Sequence, residues 1–150
     1  MKLSEHFHLA EFLRSETAAR MGHKIVPNEQ EIESLRDLCV TILEPARTLL
    51  GNRVIHVTSG LRPRWLNNVI GGSLDSDHVL AGAVDFQVMS LTSAEVCHAI
   101  AQSDIPFRQL INEFDQWTHI SKARKGEDPK RQVLTAKRVG AKTVYEVGIT

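Results

Sequence analysis

The spacing of apolar residues changes partway along the chain, from a helical period to a strand period. From Asn28 to Gly51, the residues Ile32, Leu35, Leu38, Ile42, Leu43, Ala46 and Leu49 recur at three- and four-residue steps, the signature of an amphipathic helix. Asn28-Glu-Gln-Glu31 supplies a capping-box start with Pro27 just outside, and Gly51 closes the run. Pro45 lies inside this pattern and removes a backbone donor, which predicts a bend near Thr41 to Glu44. Beyond Gly51 the period shortens. Arg53 to Thr58 is β-branched and alternating, and Ala83 to Val88 is a nearly continuous apolar run that reads as a buried strand. Phe107 to Phe114 and Trp117 to Ser121 read as a hairpin turning at Asp115-Gln116, which sets Glu113 and His119 opposite one another. Gln132 to Ala136 is a last strand, and Val139 to Thr150 adds a short edge strand or stays mobile. Shorter helices are expected near Leu9 to Leu13, from Pro63 (first position) through Trp65 to Ile70, and from Leu91-Thr92-Ser93 to before Pro106. A long helix first and strands later make the fold class α+β, a small antiparallel sheet with helices packed on one face.

Composition narrows the function classes. The 150 residues show no internal repeat or low-complexity tract, so the expectation is a single domain over 1–150 with one hydrophobic core. Eighteen basic side chains balance eighteen acidic ones, which argues against nucleic-acid binding because such proteins carry a basic excess. Cys39 and Cys97 lack the spacing of a zinc ribbon or redox motif and read as reduced core residues. Glu5, His6 and His8 stand where a secretory signal needs an apolar stretch, and no run is long enough to span a membrane. A soluble monomer made in the cytoplasm without a signal peptide is therefore expected, delivered by other means if its substrate lies outside. The basic run Lys122 to Arg131 reads as a solvated loop able to touch an anionic polymer.

The candidate chemistry lies in His78, Asp85 and His119. His78 ends the Gly/Ser/Asp-rich stretch Gly71 to His78, while Asp85 and His119 fall within strands. Two imidazoles and a carboxylate suit a catalytic zinc ion, because three protein ligands leave a fourth position for water. The competing reading makes His78 a turn residue and Asp85 a strand-end carboxylate with a salt-bridge partner. Arg62, at a strand-to-helix turn, either aims its donors at an anionic group or pairs with a surface carboxylate. His6, His8, His23 and His56 have no carboxylates at ligand spacing and read as surface or strand histidines.

Taken in order, Ser59-Gly60-Leu61-Arg62 with Asn67, Gly71-Gly72-Ser73 with Ser76-Asp77-His78, Ala83-Val84-Asp85-Phe86 and Trp117-Thr118-His119 resemble the zinc D-Ala–D-Ala carboxypeptidase family, peptidase family M15. Leu3-Ser-Glu-His-Phe and Leu43-Glu-Pro-Ala-Arg47 look like its small single-domain branch, found in phage endolysins. The resemblance implies one zinc ion per chain on His78, Asp85 and His119, with Arg62 polarising the scissile carbonyl. It implies Glu113 as general base, six residues before the last histidine, and Asp115 as the fallback. Many relatives carry a glutamate three residues before that histidine, where this chain has Gln116, and an aromatic residue where it has Leu61. Ser76 and Asp77 are expected to orient His78, and Ser76 and Trp117 to meet substrate beside the metal.

The implied activity is a zinc metallopeptidase of the carboxypeptidase or endopeptidase type. Its partners would be peptidoglycan stem or cross-link peptides, cut during phage lysis or by a phage particle. Two other readings remain: a catalytically inactive, zinc-bearing structural or binding module of a phage particle, and a cytoplasmic amidase or dipeptidase acting on small soluble substrates.

Overall fold

The computed structural model describes residues 1–150. A 3₁₀ turn at Leu9–Phe12 and a short helix α1 (Glu16–Arg20), which the sequence pattern did not announce, precede the long helical segment. That segment consists of α2 (Glu29–Leu38), one π-helical turn (Cys39–Leu43) and α3 (Glu44–Leu49). Its start is the expected box: Asn28 Oδ1 accepts from Glu31 N–H at 2.8 Å and Glu31 Oε1 accepts from Asn28 N–H at 2.9 Å. The expected bend takes the form of the π turn, in which Glu44 N–H bonds back to the Cys39 carbonyl. The wider turn makes room for the Pro45 ring, which would crowd the Thr41 carbonyl in a regular helix.

Leu35, Leu38, Cys39, Ile42, Leu43 and Ala46 are fully buried along one face of this segment. Glu44, on its other side, ties down the N-terminus. Its carboxylate accepts from Ser4 Oγ–H (2.6 Å) and His6 N–H (2.8 Å) and lies 2.7 Å from His6 Nδ1. His6 is exposed, as expected of a surface histidine, but it pairs with a carboxylate that comes from a distant helix.

The strands β1 (Ile55–Ser59), β2 (Ala83–Val88), β3 (Phe107–Glu113), β4 (Trp117–Lys122), β5 (Gln132–Val139) and β6 (Lys142–Val147) form one sheet of order β1-β2-β4-β3-β5-β6. The sheet is mostly antiparallel, but β3 and β5 run parallel, a pairing the sequence reading did not contain. The tail after Val139 forms the edge strand β6 rather than a mobile end. Two further helices, α4 (Arg64–Ile70) and α5 (Ser93–Ala101), lie between strands; Pro63 is the N-cap of α4 rather than its first residue. Thr92 and Glu95 make a second capping box at the start of α5.

Within the crossover from β4 to β5, residues 125–130 are exposed, as the reading of a solvated loop expects, but its two ends are fastened to the protein. The Arg131 guanidinium donates to the carbonyls of Ala101 (3.0 Å), Ser103 (2.8 Å) and Ile105, and lies 4.4 Å from the Phe107 ring centroid. Lys122 Nζ pairs with Asp37 at 3.0 Å. These cations hold orphan carbonyls and carboxylates, as a helix C-terminus requires.

Alternation along the strands divides the sheet into two faces. Val84, Phe86, Leu110 and Ile120 belong to the main core, which the helices cover. Asp85, Ile111, Glu113 and His119 point into the opposite face, which carries the cleft. The β3–β4 turn also departs from expectation. Phe114 and Asp115 hold left-handed φ (57° and 55°), and Gln116 N–H donates to the Glu113 carbonyl at 3.0 Å, so the turn centres on Phe114-Asp115. Glu113 pairs with Trp117 and His119 with Ile111, so Glu113 and His119 are diagonal neighbours on one face rather than opposite. No helix is long and apolar enough to cross a membrane.

Candidate metal centre

The register between β2 and β4 sets Asp85 beside His119. Their side chains share one face, with Asp85 Oδ1 2.9 Å from His119 Nδ1. The third group arrives on the loop between α4 and β2. His78 Nε2 lies 3.3 Å from the same Asp85 oxygen, and the two imidazole centroids are 5.1 Å apart. His78, Asp85 and His119 are all buried and place one donor atom each within 4.8 Å of one another.

His78 is oriented by backbone, which corrects the expected roles of Ser76 and Asp77. Its Nδ1 lies 2.8 Å from the Gly60 carbonyl, which fixes the proton there and leaves Nε2 for the centre. Gly60 can sit this close because it has no side chain. A Cβ there would come within 2.7 Å of the Cα and carbonyl oxygen of Phe12. Arg62 N–H donates to the His78 carbonyl at 3.1 Å, a second tie between the turn after β1 and this loop. Ser76 Oγ accepts from the His78 backbone N–H (3.3 Å) and does not touch the ring. Asp77 turns away from the imidazole to Arg108 (2.8 Å) and Arg124 (2.9 Å).

Burial alone would raise the Asp85 pKa, but the charges of the two histidines and their hydrogen bonds hold it well below the usual carboxylate range. Burial opposes charge on His119, yet its hydrogen bond to Asp85 and that carboxylate's field raise its pKa. The result is an ionised oxygen with two ring nitrogens around it. Ligand atoms on a tetrahedral ion with bonds of about 2.0–2.1 Å stand roughly 3.3 Å apart, close to the His78–Asp85 separation. The donor set therefore suits a divalent cation of the zinc type.

The centre forms the floor of a cleft of about 720 Å³ whose lining includes Arg62, Ser76, Glu113 and Trp117. Glu113 Oε1 lies 4.0 Å from His119 Nδ1. Burial, reinforced by the Asp85 charge, pushes the Glu113 pKa above the ordinary carboxylate value. The Trp117 Nε1–H is buried without a hydrogen-bond partner. Arg62 Nη1 approaches Asn67 Oδ1 at 3.5 Å, and the Asn67 amide donates to the Ser73 carbonyl at 2.9 Å. Asp115 is exposed in the turn and is absent from the cleft lining, and the Gln116 carbonyl accepts from Gln87 Nε2 at 2.9 Å. His8, His23 and His56 are exposed and stand apart from the centre.

Three contributors escaped the sequence reading: Arg108, Arg124 and Tyr145, which also line the cleft. Strict alternation in β3 would put Arg108 on the core side with Leu110. A register irregularity between Phe107 and Gln109 reverses this, burying Phe107 and turning Arg108 to the cleft. No local sequence signal marks that bulge.

Residues 5–121 match the family model described as Peptidase M15, which spans well over half of the chain, and the protein belongs to that family. The family's members are zinc-dependent peptidases, in keeping with a His-Asp-His set that could hold the ion. No curated protein matches the chain.

Proposed function

We propose that this M15 peptidase is a zinc-dependent hydrolase of bacterial peptidoglycan, cutting stem or cross-link peptides in the manner of a phage endolysin. The observation that carries the reading is the convergence of His78, Asp85 and His119 beneath a cleft that also holds Glu113 and Arg62. His78, through Nε2, Asp85 and His119 would hold the ion at the cleft. Bound there, zinc would supply Lewis acidity and lower the pKa of a bound water to about 7.

The protein's own groups supply the rest. The Glu113 carboxylate takes the proton of the attacking water and delivers it to the leaving nitrogen. Its raised pKa suits both halves of that transfer. Arg62 donates to the carbonyl oxygen as negative charge develops on it. Trp117 forms one wall of the cleft, and Ser76 offers a hydroxyl along its rim. The cleft volume accommodates a short peptide segment, as expected for a chain that takes stem peptides one at a time.

The test is a digest of purified peptidoglycan by the zinc-loaded protein, read by mass spectrometry beside a chelated sample and a Glu113→Ala variant. New peptide termini from the native protein alone support the reading and identify the bond. Cleavage that survives in the variant moves the base away from Glu113. A protein that holds one zinc and releases no fragments is a metal-stabilised module and not a wall hydrolase.

A further inference from the structure

Arg108 occupies an unusual position for a charged side chain. It leaves β3 at the bulge, lines the cleft, and is mostly withdrawn from solvent. Its one hydrogen bond runs from Nη1 to Asp77 Oδ2 at 2.8 Å. Its Nε–H is buried with no partner at all. A guanidinium presents five donors as a rigid fork, and the edge formed by Nε and Nη2 matches the two oxygens of a carboxylate. Asp77 thus fixes one end of Arg108 and leaves that edge unfilled.

The neighbouring guanidinium of Arg124, by contrast, is engaged through all three nitrogens, Nη2 donating to the Asp75 carbonyl at 2.8 Å. Asp77 also receives Arg124 Nε at 2.9 Å, while Arg124 Nη1 pairs with the exposed Asp75 at 2.9 Å. Arg62, the third guanidinium of the cleft, has no carboxylate partner. Asp75 and Asp77 are thus both occupied by guanidinium groups, and Arg108 Nε is the donor of this cluster left without an acceptor.

We propose that Arg108 is the centre of a carboxylate-binding subsite, held in place by Asp77 and flanked by Arg124, and that the cleft selects peptides carrying a free carboxylate near the bond to be cut. This deepens the peptidase reading and rests on it. In a lysine-type stem peptide such a carboxylate has two sources: the α-carboxyl of the D-glutamate residue and the C-terminal carboxyl. Either would fill the unpartnered edge of Arg108, and a carboxamide of the same shape would not, because it brings a donor to a donor.

The experiment compares three synthetic pentapeptides L-Ala-γ-D-Glu-L-Lys-D-Ala-D-Ala: the parent, its D-glutamate α-carboxamide and its C-terminal carboxamide. Zinc-loaded wild type and Arg108→Gln are tested on each, by kcat/KM where the peptide is cut and by calorimetric Kd where it is not. One carboxamide is expected to lose at least about tenfold against the parent on the wild type, the worth of a charge-assisted paired contact. Which one loses identifies the source. In Arg108→Gln the same ratio is expected to fall to within about twofold of one. A general loss of folding or of zinc lowers all three peptides together and leaves the ratio intact, which overturns the proposal. So does a wild-type ratio near one, or a preference that persists in the variant and so belongs to Arg62 or the metal. Binding with the predicted preference but without cleavage sustains the subsite and sinks the hydrolase reading, so the two fail separately.

Discussion

Substituting Gly60 by alanine tests whether a backbone carbonyl is what aims His78. A Cβ at Gly60 would lie 2.7 Å from the Phe12 Cα and carbonyl oxygen and 2.8 Å from its Cβ, about 0.7 Å short of ordinary contact. Phe12 is fully buried and its carbonyl already accepts from Leu61 N–H at 2.9 Å, so the clash cannot be relieved by a side-chain rotation. Overpacking of this kind costs about 1–3 kcal/mol. Losing the Leu61–Phe12 bond adds roughly 1 kcal/mol, so destabilisation of about 2–4 kcal/mol is expected. As the turn moves off Phe12 it carries the Gly60 carbonyl away from His78 Nδ1, and disturbing such a partner typically weakens metal binding by about 10- to 100-fold. Urea unfolding of the chelated protein reads the first effect and zinc competition titration the second. Gly82→Ala is the control, since its Cβ would make only an ordinary 3.6 Å contact with the Asp77 carbonyl. A Gly60→Ala protein as stable and as zinc-avid as Gly82→Ala refutes the whole argument. A less stable protein with unchanged zinc affinity refutes the orienting role.

Two other substitutions probe the scaffold around the site. Asp77→Ala leaves Arg108 and Arg124 facing an empty position, and breaking such a largely buried pair is expected to lower stability by about 2–4 kcal/mol and to weaken zinc binding. Thermal unfolding of chelated and zinc-loaded forms measures both, and an unchanged melting temperature would refute a structural role for the Asp77 bridge to Arg108 and Arg124. Burial tends to raise the pKa of Glu44, but hydrogen bonds from Ser4 and His6 outweigh it and hold the carboxyl below its ordinary value. Its contribution is therefore fully present above the unfolded-state pKa of about 4.3 and is lost as pH falls through the lower folded value. Urea titrations of wild type and Glu44→Gln should differ by about 2 kcal/mol at pH 7 and converge only once pH falls below the lowered folded value; a gap that persists in stronger acid contradicts this reading.

Much of the site could be read from residue order because its chemistry is carried by short, local patterns. Asp85 and His119 sit in runs whose apolar, β-branched character specifies strands whatever lies beside them, and the loop before His78 announces itself through Gly71, Gly72 and Ser73. The capping box at Asn28 and the helix start at Thr92 were legible for the same reason, since each is closed within four residues. Glu113, expected opposite His119, lines the cleft but pairs across the ladder with Trp117. The turn uses Phe114 and Asp115 in left-handed conformations, which aspartate tolerates but which a phenylalanine does not advertise. That shifts the pairing so that Glu113 meets His119 on a diagonal.

The sequence by itself determined the α+β class, the strands that carry Asp85 and His119, and the helix bounded by Asn28 and Gly51, because periodicity and caps act over a few residues. Only the tertiary structure decided which groups complete the site. The Gly60 carbonyl on His78, the bulge that turns Arg108 into the cleft, and the Asp77 bridge to Arg124 each join segments far apart in the chain. Such contacts depend on sheet order and on the close approach of backbones, and neither is written in the identity of a residue or its neighbours.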